Sequence, residues 1–287
     1  MADAADASRR AKKREVTDEG SKADIDDAAI QAASYALELM SGTHGTRLFC
    51  LGFILKDDKV TPWYYDASGA VCADNSISMI HDFPKFAAFV VTLARLSPER
   101  HGALSTSGHK IRFTPKSVPT FPYPTLKGCR VLFDRQTEDG LGTKPVYVTL
   151  GDRIFTQYCL VGRRTFLYAA GFKNGSHGKA NAVIKFSYQP VAREQEKDLV
   201  ATALAFGVQH LPELYMAGDL WDMKDSVRAA FFDTFDPTLS IGARSLRAIV
   251  YRRYRPLKEL FSHSRKCLLL PVMVDQLIDG KNLSERS

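Results

Sequence analysis

Ala182-Val183-Ile184-Lys185-Phe186-Ser187-Tyr188-Gln189-Pro190 runs straight into Val191-Ala192-Arg193-Glu194-Gln195-Glu196, setting one cation inside an apolar strand pattern and two acids at the head of a helix. Residues 182–187 are rich in strand formers. A charged side chain rising from such a strand is costly to desolvate alone and calls for an anion. The helix predicted over 192–206, closed by Gly207, offers Glu194 and Glu196, which stand two positions apart and cannot face the same way. Lys185 could also snorkel from an edge strand without any partner.

Upstream, short strand candidates follow one another: Cys129–Asp134, Val146–Leu150, Arg153–Val161 and Phe166–Gly171, with Gly151-Asp152 reading as a hairpin turn. Gly162 lies in a further turn, Leu160-Val161-Gly162-Arg163-Arg164-Thr165, just before the last of these. Downstream, 211–216 and 247–251 read as strands, and helical segments over 256–261 and 267–278 follow. Pro115, Pro119, Pro122 and Pro124 make the segment from Thr114 to Gly128 unfit for a helix interior or a central strand, so a domain boundary is placed there.

The first domain, 24–125, begins with Ile25, Ala29, Ala33, Ala36 and Met40 at helical spacing, Asp26 and Asp27 at the positive end of the dipole, and Gly42 as a stop. A hairpin over 47–56 and 59–65 turns at Asp57-Asp58, and a second helix is predicted from Phe83 to Leu96. The expected fold class is α+β: an N-terminal α/β domain, then an antiparallel sheet with one helix over 126–278, then a tail over 279–287.

The 287 residues are 45% hydrophobic and 25% charged, the balance of a soluble globular chain with a sizeable core. Five widely spaced cysteines without a C-x-x-C pair argue against a zinc or redox motif and read as reduced, mostly buried thiols of a cytoplasmic or nuclear protein. The longest apolar stretches, 86–93 and 268–274, are too short to span a bilayer. Residues 1–23 read as a disordered arm, with Arg9 to Arg14 a solvated tail rather than an import signal. A formal charge of +7 and a pI near 9.1 suit anionic partners. In the first domain Asp57, Asp58, Asp66 and Asp74 are explained by turns, and a nuclease-like E-x-K pattern is absent beside its helix and hairpin.

Strand, glycine turn, strand, lysine strand and acidic helix is the order in which protein kinases build a nucleotide site. The collinear set resembles the fungal-type protein kinase family. Gly162-Arg163-Arg164-Thr165-Phe166-Leu167-Tyr168 is similar to its G-R-x-T-x-V-Y turn. Val183 to Pro190 is similar to its V-K-x-S-W-x-P strand, with Tyr188 in place of tryptophan, and Arg193-Glu194-Gln195-Glu196 to its R-x-x-E. His210-Leu211-Pro212-Glu213-Leu214, Ala248 to Leu257, and Asp66-Ala67-Ser68-Gly69-Ala70-Val71 resemble further segments of it. The resemblance favours Glu196 over Glu194 as the partner of Lys185. It implies a kinase N-lobe over 126–278 with the start of a C-lobe, and an ATP site of Gly162, Thr165, Lys185 and Glu196. Tyr251 then stands where a gatekeeper would, and Arg252 to Tyr254 where the hinge meets adenine.

No H-R-D or D-F-G-like segment follows Ile278, and Asp82-Phe83 lies far upstream before a proline. A chain truncated before those segments is expected to be inactive, since phosphoryl transfer depends on such positioning and charge stabilisation, and magnesium would be held only with the missing C-lobe. No catalytic or metal-ligating residue is therefore assigned, and the protein substrate stays unknown. The second reading is a non-enzymatic basic module for nucleic acid or another acidic partner. Arg244, Arg247, Arg252, Arg253, Arg255, Lys258, Arg265 and Lys266 are interleaved there with Tyr251, Tyr254 and Phe261. It is disfavoured because no recognisable nucleic-acid fold accompanies it.

Overall fold

In this computed structural model the described residues are 27–104, 111–112, 125–136, 143–172, 182–223, 227–228 and 244–254. The arm over 1–23, most of the proline-rich segment, the helices expected over 256–261 and 267–278, and the tail lie outside them.

Helix α1 (Asp27–Gly42) turns its Ala36 and Met40 inward, and strands β1 (Phe49–Lys56) and β2 (Lys59–Asp66) then pair over their full length, from Phe49 opposite Asp66 to Lys56 opposite Lys59. The turn takes Asp57 into the left-handed region at φ 54°, as a two-residue hairpin loop requires. Strands β3 (Gly69–Cys72) and β4 (Ile77–Ser78) both pair with β2, and α2 (Phe83–Arg95) follows with Pro84 in its first turn. All these pairings are antiparallel, so the N-terminal region is itself α+β rather than the α/β expected from its sequence.

The second sheet is built from β5 (Ile111–Arg112), β6 (Arg130–Gln136), β7 (Thr143–Thr156), β8 (Phe166–Phe172), β9 (Ala182–Pro190), β10 (Leu214–Asp222) and β11 (Arg244–Arg252), with helix α3 (Glu196–Ala205) between β9 and β10. Its spatial order is β10-β11-β9-β8-β7-β6-β5, again antiparallel throughout. Strand β9 thus has β8 on one side and β11 on the other, which rules out an edge position for Lys185.

One core joins the sheets. Ile184, Phe186 and Tyr188 of β9 pack with Phe166 and Tyr168 of β8 and Leu246, Ala248 and Val250 of β11, and the same cluster takes in Leu48, Phe49, Tyr64, Ala67 and Leu104 from the N-terminal region. Phe166 stacks on Phe186 with ring centroids 4.8 Å apart. Full burial of a side chain of this size stabilises by about 1.5–3 kcal/mol, so the cluster is the main cohesion between the sheets. Ile111 and Arg112, upstream of the proline-rich segment, pair with Val131 and Arg130, so the second sheet draws a strand from before that segment. At the contact between the two regions a Cβ on Gly45, whose φ is +92°, would come within 2.4 Å of the Phe166 ring, leaving room for glycine alone.

The hairpin expected at Gly151-Asp152 is a correction. The chain runs through it as the single strand β7, and the irregularity is a bulge at which the pairing jumps from Leu150–Ala170 to Arg153–Tyr168. Strand β8 continues opposite both halves, and its pairing outweighs the local turn preference of Gly-Asp. Helix α3 starts at Glu196 rather than Ala192 because the chain first turns, with the Arg193 N–H donating to the Pro190 carbonyl, and Gln195 is extended. At its other end Gly207, at φ +75°, closes the helix as expected. Of the cysteines, Cys50 and Cys129 are buried thiols with their pKa pushed up by burial to about 11 and about 12, Cys159 is half-buried and Cys72 is exposed. Cys267 lies outside the described residues. Among the described residues no helix is long and apolar enough to cross a membrane.

Asp66 closes the first sheet onto the second. Its Oδ1 accepts the N–H groups of Ser68 and Gly69, while its Oδ2 accepts from Arg228 Nη1 at 2.7 Å in a pair that solvent does not reach. Removing one member of a buried pair strands the other charge, so Asp66→Ala is expected to lower stability by about 3–5 kcal/mol in urea unfolding. Lys127→Ala, which breaks the exposed pair with Asp152, should leave the midpoint unchanged.

Candidate functional site

Alternation along β9 sends Ile184, Phe186 and Tyr188 into the core and Lys185 to the opposite face. On that face Lys185 Nζ lies 2.7 Å from Oε2 and 2.9 Å from Oε1 of Glu196. Glu196 is the first residue of α3, where the helix dipole favours a carboxylate. Glu194, the other candidate, is exposed and forms no ion pair among the described residues.

Tyr251 completes the cluster by donating its hydroxyl to Glu196 Oε1 at 2.7 Å. It stands opposite Val183 on β11, and Ile249 on the same strand stands opposite Lys185, so the phenol and the ammonium rise from neighbouring strands onto one carboxylate. Burial alone would raise the Glu196 pKa. The hydrogen bonds from Lys185 and Tyr251 outweigh it, and the carboxyl sits below its ordinary value. Burial and the bond to that carboxylate push the Tyr251 phenol up.

The remaining residues singled out from the sequence fall into two further groups. Arg252 donates to Glu213 Oε2 at 3.1 Å and pairs backbone to backbone with the same residue, while the Tyr254 hydroxyl accepts the Glu213 N–H. Gly162 has φ +111° with open space where a Cβ would be, so its conformation rather than crowding asks for glycine. Its N–H donates to the Ala67 carbonyl, which ties the turn to the first sheet. Thr165 pairs with Gln157 across the base of the turn, its N–H donating to Gln157 Oε1. Lys185, Glu196 and Tyr251 therefore form one contact group, Arg252 and Tyr254 a second at the start of β10, and Gly162 and Thr165 shape the β7–β8 connection.

A further anchor is Arg164. It sits at φ +41°, is buried, and donates to the carbonyls of Met40, Arg47 and Leu48, with its guanidinium 5.2 Å from the Tyr188 ring centroid. It therefore satisfies a carbonyl at the end of α1, where the dipole favours a cation, and fastens the glycine turn to the N-terminal region. Nothing in the Arg163-Arg164 doublet distinguishes the buried member from the exposed one, although an arginine beside a turn glycine invites the question. Of the basic residues put forward for nucleic acid, Arg247 is buried and bonded to Asp219 and Gln189, Arg252 is held by Glu213, and 255–266 lie outside the described residues. A shallow concavity lined by Gln189, Glu196, Gly218, Asp219 and Arg247 lies along the start of α3.

A strand lysine held by a glutamate of the following helix is the ion pair that protein kinases keep beside their nucleotide. The family model described as fungal protein kinase matches residues 9–249, and the chain belongs to that family. The match takes in Gly162, Thr165, Lys185 and Glu196 and ends before Tyr251, Arg252 and Tyr254. No curated protein and no solved structure matches the chain.

With the Glu196 pKa depressed in the folded state, the pair adds stability that is fully present above the carboxyl's ordinary value of 4.5 and is lost as the pH falls through the lower folded value. Carboxyl NMR titration should find Glu196 below 4.5 in the native chain and shifted upward in Lys185→Met. That variant should also lose part of the acid-side dependence of its unfolding midpoint.

Proposed function

We propose that this chain binds ATP on the sheet face that carries Lys185, and that its 287 residues by themselves transfer no phosphate. The observation that carries the reading is the Lys185–Glu196–Tyr251 cluster. A lysine locked into a neutral, solvent-free pair would have no use for a phosphate. Here the lysine side chain keeps 25% of its exposure and the glutamate 30%, so the ammonium stays open to a second anion. ATP brings the phosphate charge that such a cation complements, and Glu196 holds the ammonium in place whether or not nucleotide is bound.

The other assignments follow from the family and the order of elements. Gly162 and Thr165 belong to the turn between the first two strands of the lobe, Tyr251 to the position that bounds the site at the end of β11, and Arg252 and Tyr254 to the backbone that adenine would meet. In this reading the strands from β7 to β11 with α3 are a kinase N-lobe, and the chain works in the cytoplasm or nucleus. Among the described residues no group of three or more His, Cys, Asp or Glu is placed to hold a metal ion. The 287 residues also lack an H-R-D or D-F-G segment to orient a substrate hydroxyl.

Saturating ATP should raise the melting temperature of the full chain by a few degrees, and Lys185→Met should abolish the shift while the unliganded variant still melts cooperatively. An unshifted native chain would remove the nucleotide claim and leave the family assignment standing. Radiolabelled transfer to a generic protein substrate should stay at background for the same protein.

A further inference from the structure

Strand β1 is an open edge. It pairs with β2 alone, from Phe49 opposite Asp66 to Lys56 opposite Lys59, and stands at the end of the first sheet. The two-residue loop at Asp57-Asp58 makes Lys56 and Lys59 a hydrogen-bonded pair, and alternation then turns the backbone groups of Ile54, Gly52 and Cys50 toward β2. Those of Leu51, Phe53 and Leu55 point the other way, and among the described residues nothing receives them. The start of the strand is covered, since the Leu48 N–H donates to the Gly102 carbonyl and a Cβ on Gly102 would come within 1.9 Å of the Phe49 carbonyl oxygen.

The other sheet edges among the described residues are blunted, and this one is not. Strand β5 is two residues long, β10 is broken by two bulges, and β3 and β4 span four and two residues. Strand β1 runs eight residues without a bulge, and from Phe49 to Leu55 it holds neither a charge nor a proline. Its side chains add to the exposure. Phe49 and Leu51 pack into the core, whereas Phe53 and Leu55, further along the same face, are left exposed. An uncharged edge of this length, with free donors and acceptors, is a template for another strand.

We propose that β1 pairs antiparallel with β1 of a second copy of this chain, joining the two first sheets into one across a two-fold axis. The strand is complementary to itself. Paired about Phe53, it sets Leu51 of each copy opposite Leu55 of the other and Lys56 opposite Cys50, so that no like charges face. Phe53 and Leu55 of both copies then gather on one face. The charges at the two ends of the strand also match. Exposed Asp57 lies in the turn after β1 and exposed Arg100 in the segment 97–102 that covers its start, and among the described residues neither forms an ion pair. The two-fold axis brings the turn of each copy beside that segment of the other. The interface uses none of Lys185, Glu196 and Tyr251, so it stands apart from the nucleotide reading.

The test is sedimentation equilibrium of the full chain over a range of concentrations, joined to amide hydrogen exchange followed by NMR. A reversible dimer is expected, in which the amides of Leu51, Phe53 and Leu55 exchange more slowly than in the dilute monomer. Phe53→Pro deletes an outward N–H and leaves the β1–β2 ladder its hydrogen bonds. The variant should stay folded by circular dichroism while its dimer dissociates about tenfold or more readily, one backbone bond being lost from each copy. Phe53→Lys keeps the backbone donor but sets like charges across the axis, and it should weaken the dimer as well, which keeps the test open if the proline variant does not fold. Arg100→Asp should also weaken the dimer, and Asp57→Lys in the same chain should restore it. A chain that stays monomeric, a dimer undiminished by the Phe53 substitutions, or a charge exchange that restores nothing would overturn the proposal. So would edge amides already protected in the dilute monomer, the sign of another segment of the same chain on β1.

Discussion

Strand β9 must satisfy two environments at once, and the rest of the molecule is arranged around that demand. Its inward residues, Ile184, Phe186 and Tyr188, are sealed between the sheets, which fixes the register of β8 and β11 on either side. A slip of one residue would bury Lys185 in that core. With the register held, the ammonium has a single direction to point, and α3 brings the first of its residues to meet it. The ion pair is thus a product of the core and adds little to it, because its members remain in contact with water.

The N-terminal region is joined to this sheet by three different kinds of contact. Apolar packing supplies cohesion, the buried pair of Asp66 with Arg228 supplies direction, and Arg164 binds a loop of the second sheet to carbonyls of α1 and of the segment that leads into β1. Directional contacts of this sort are weak as sources of net stability and strong as selectors of one arrangement, since any other leaves a buried charge without its partner.

Much of the element order could be read from the amino acids alone. Helical spacing from Ala29 to Met40, the strand formers around Lys185 and the glycine at 207 each report a local preference that the fold respects. The failures share a cause. Gly151-Asp152 has turn chemistry but lies opposite an unbroken partner strand, and Ala192 has helix propensity but follows a turn anchored at Pro190. In both, distant pairing decided what the local sequence left open. The site was legible to the extent that it depends on alternation and spacing: Lys185 had to project from a strand and a helix acid had to be close. Arg164, Tyr251 as a donor to Glu196, and the Asp66–Arg228 pair depend on contacts across as many as 162 residues of chain, for which a single sequence carries no signal.

The docked glycine turn bears on how the second sheet can move. Gly162 is held through its N–H by Ala67, and Arg164 grips three carbonyls two positions later. A flap clamped at its tip cannot swing independently of the wall it is clamped to. Any displacement of that turn would therefore carry the N-terminal region along, making it a lever arm of the second sheet instead of a separate passenger.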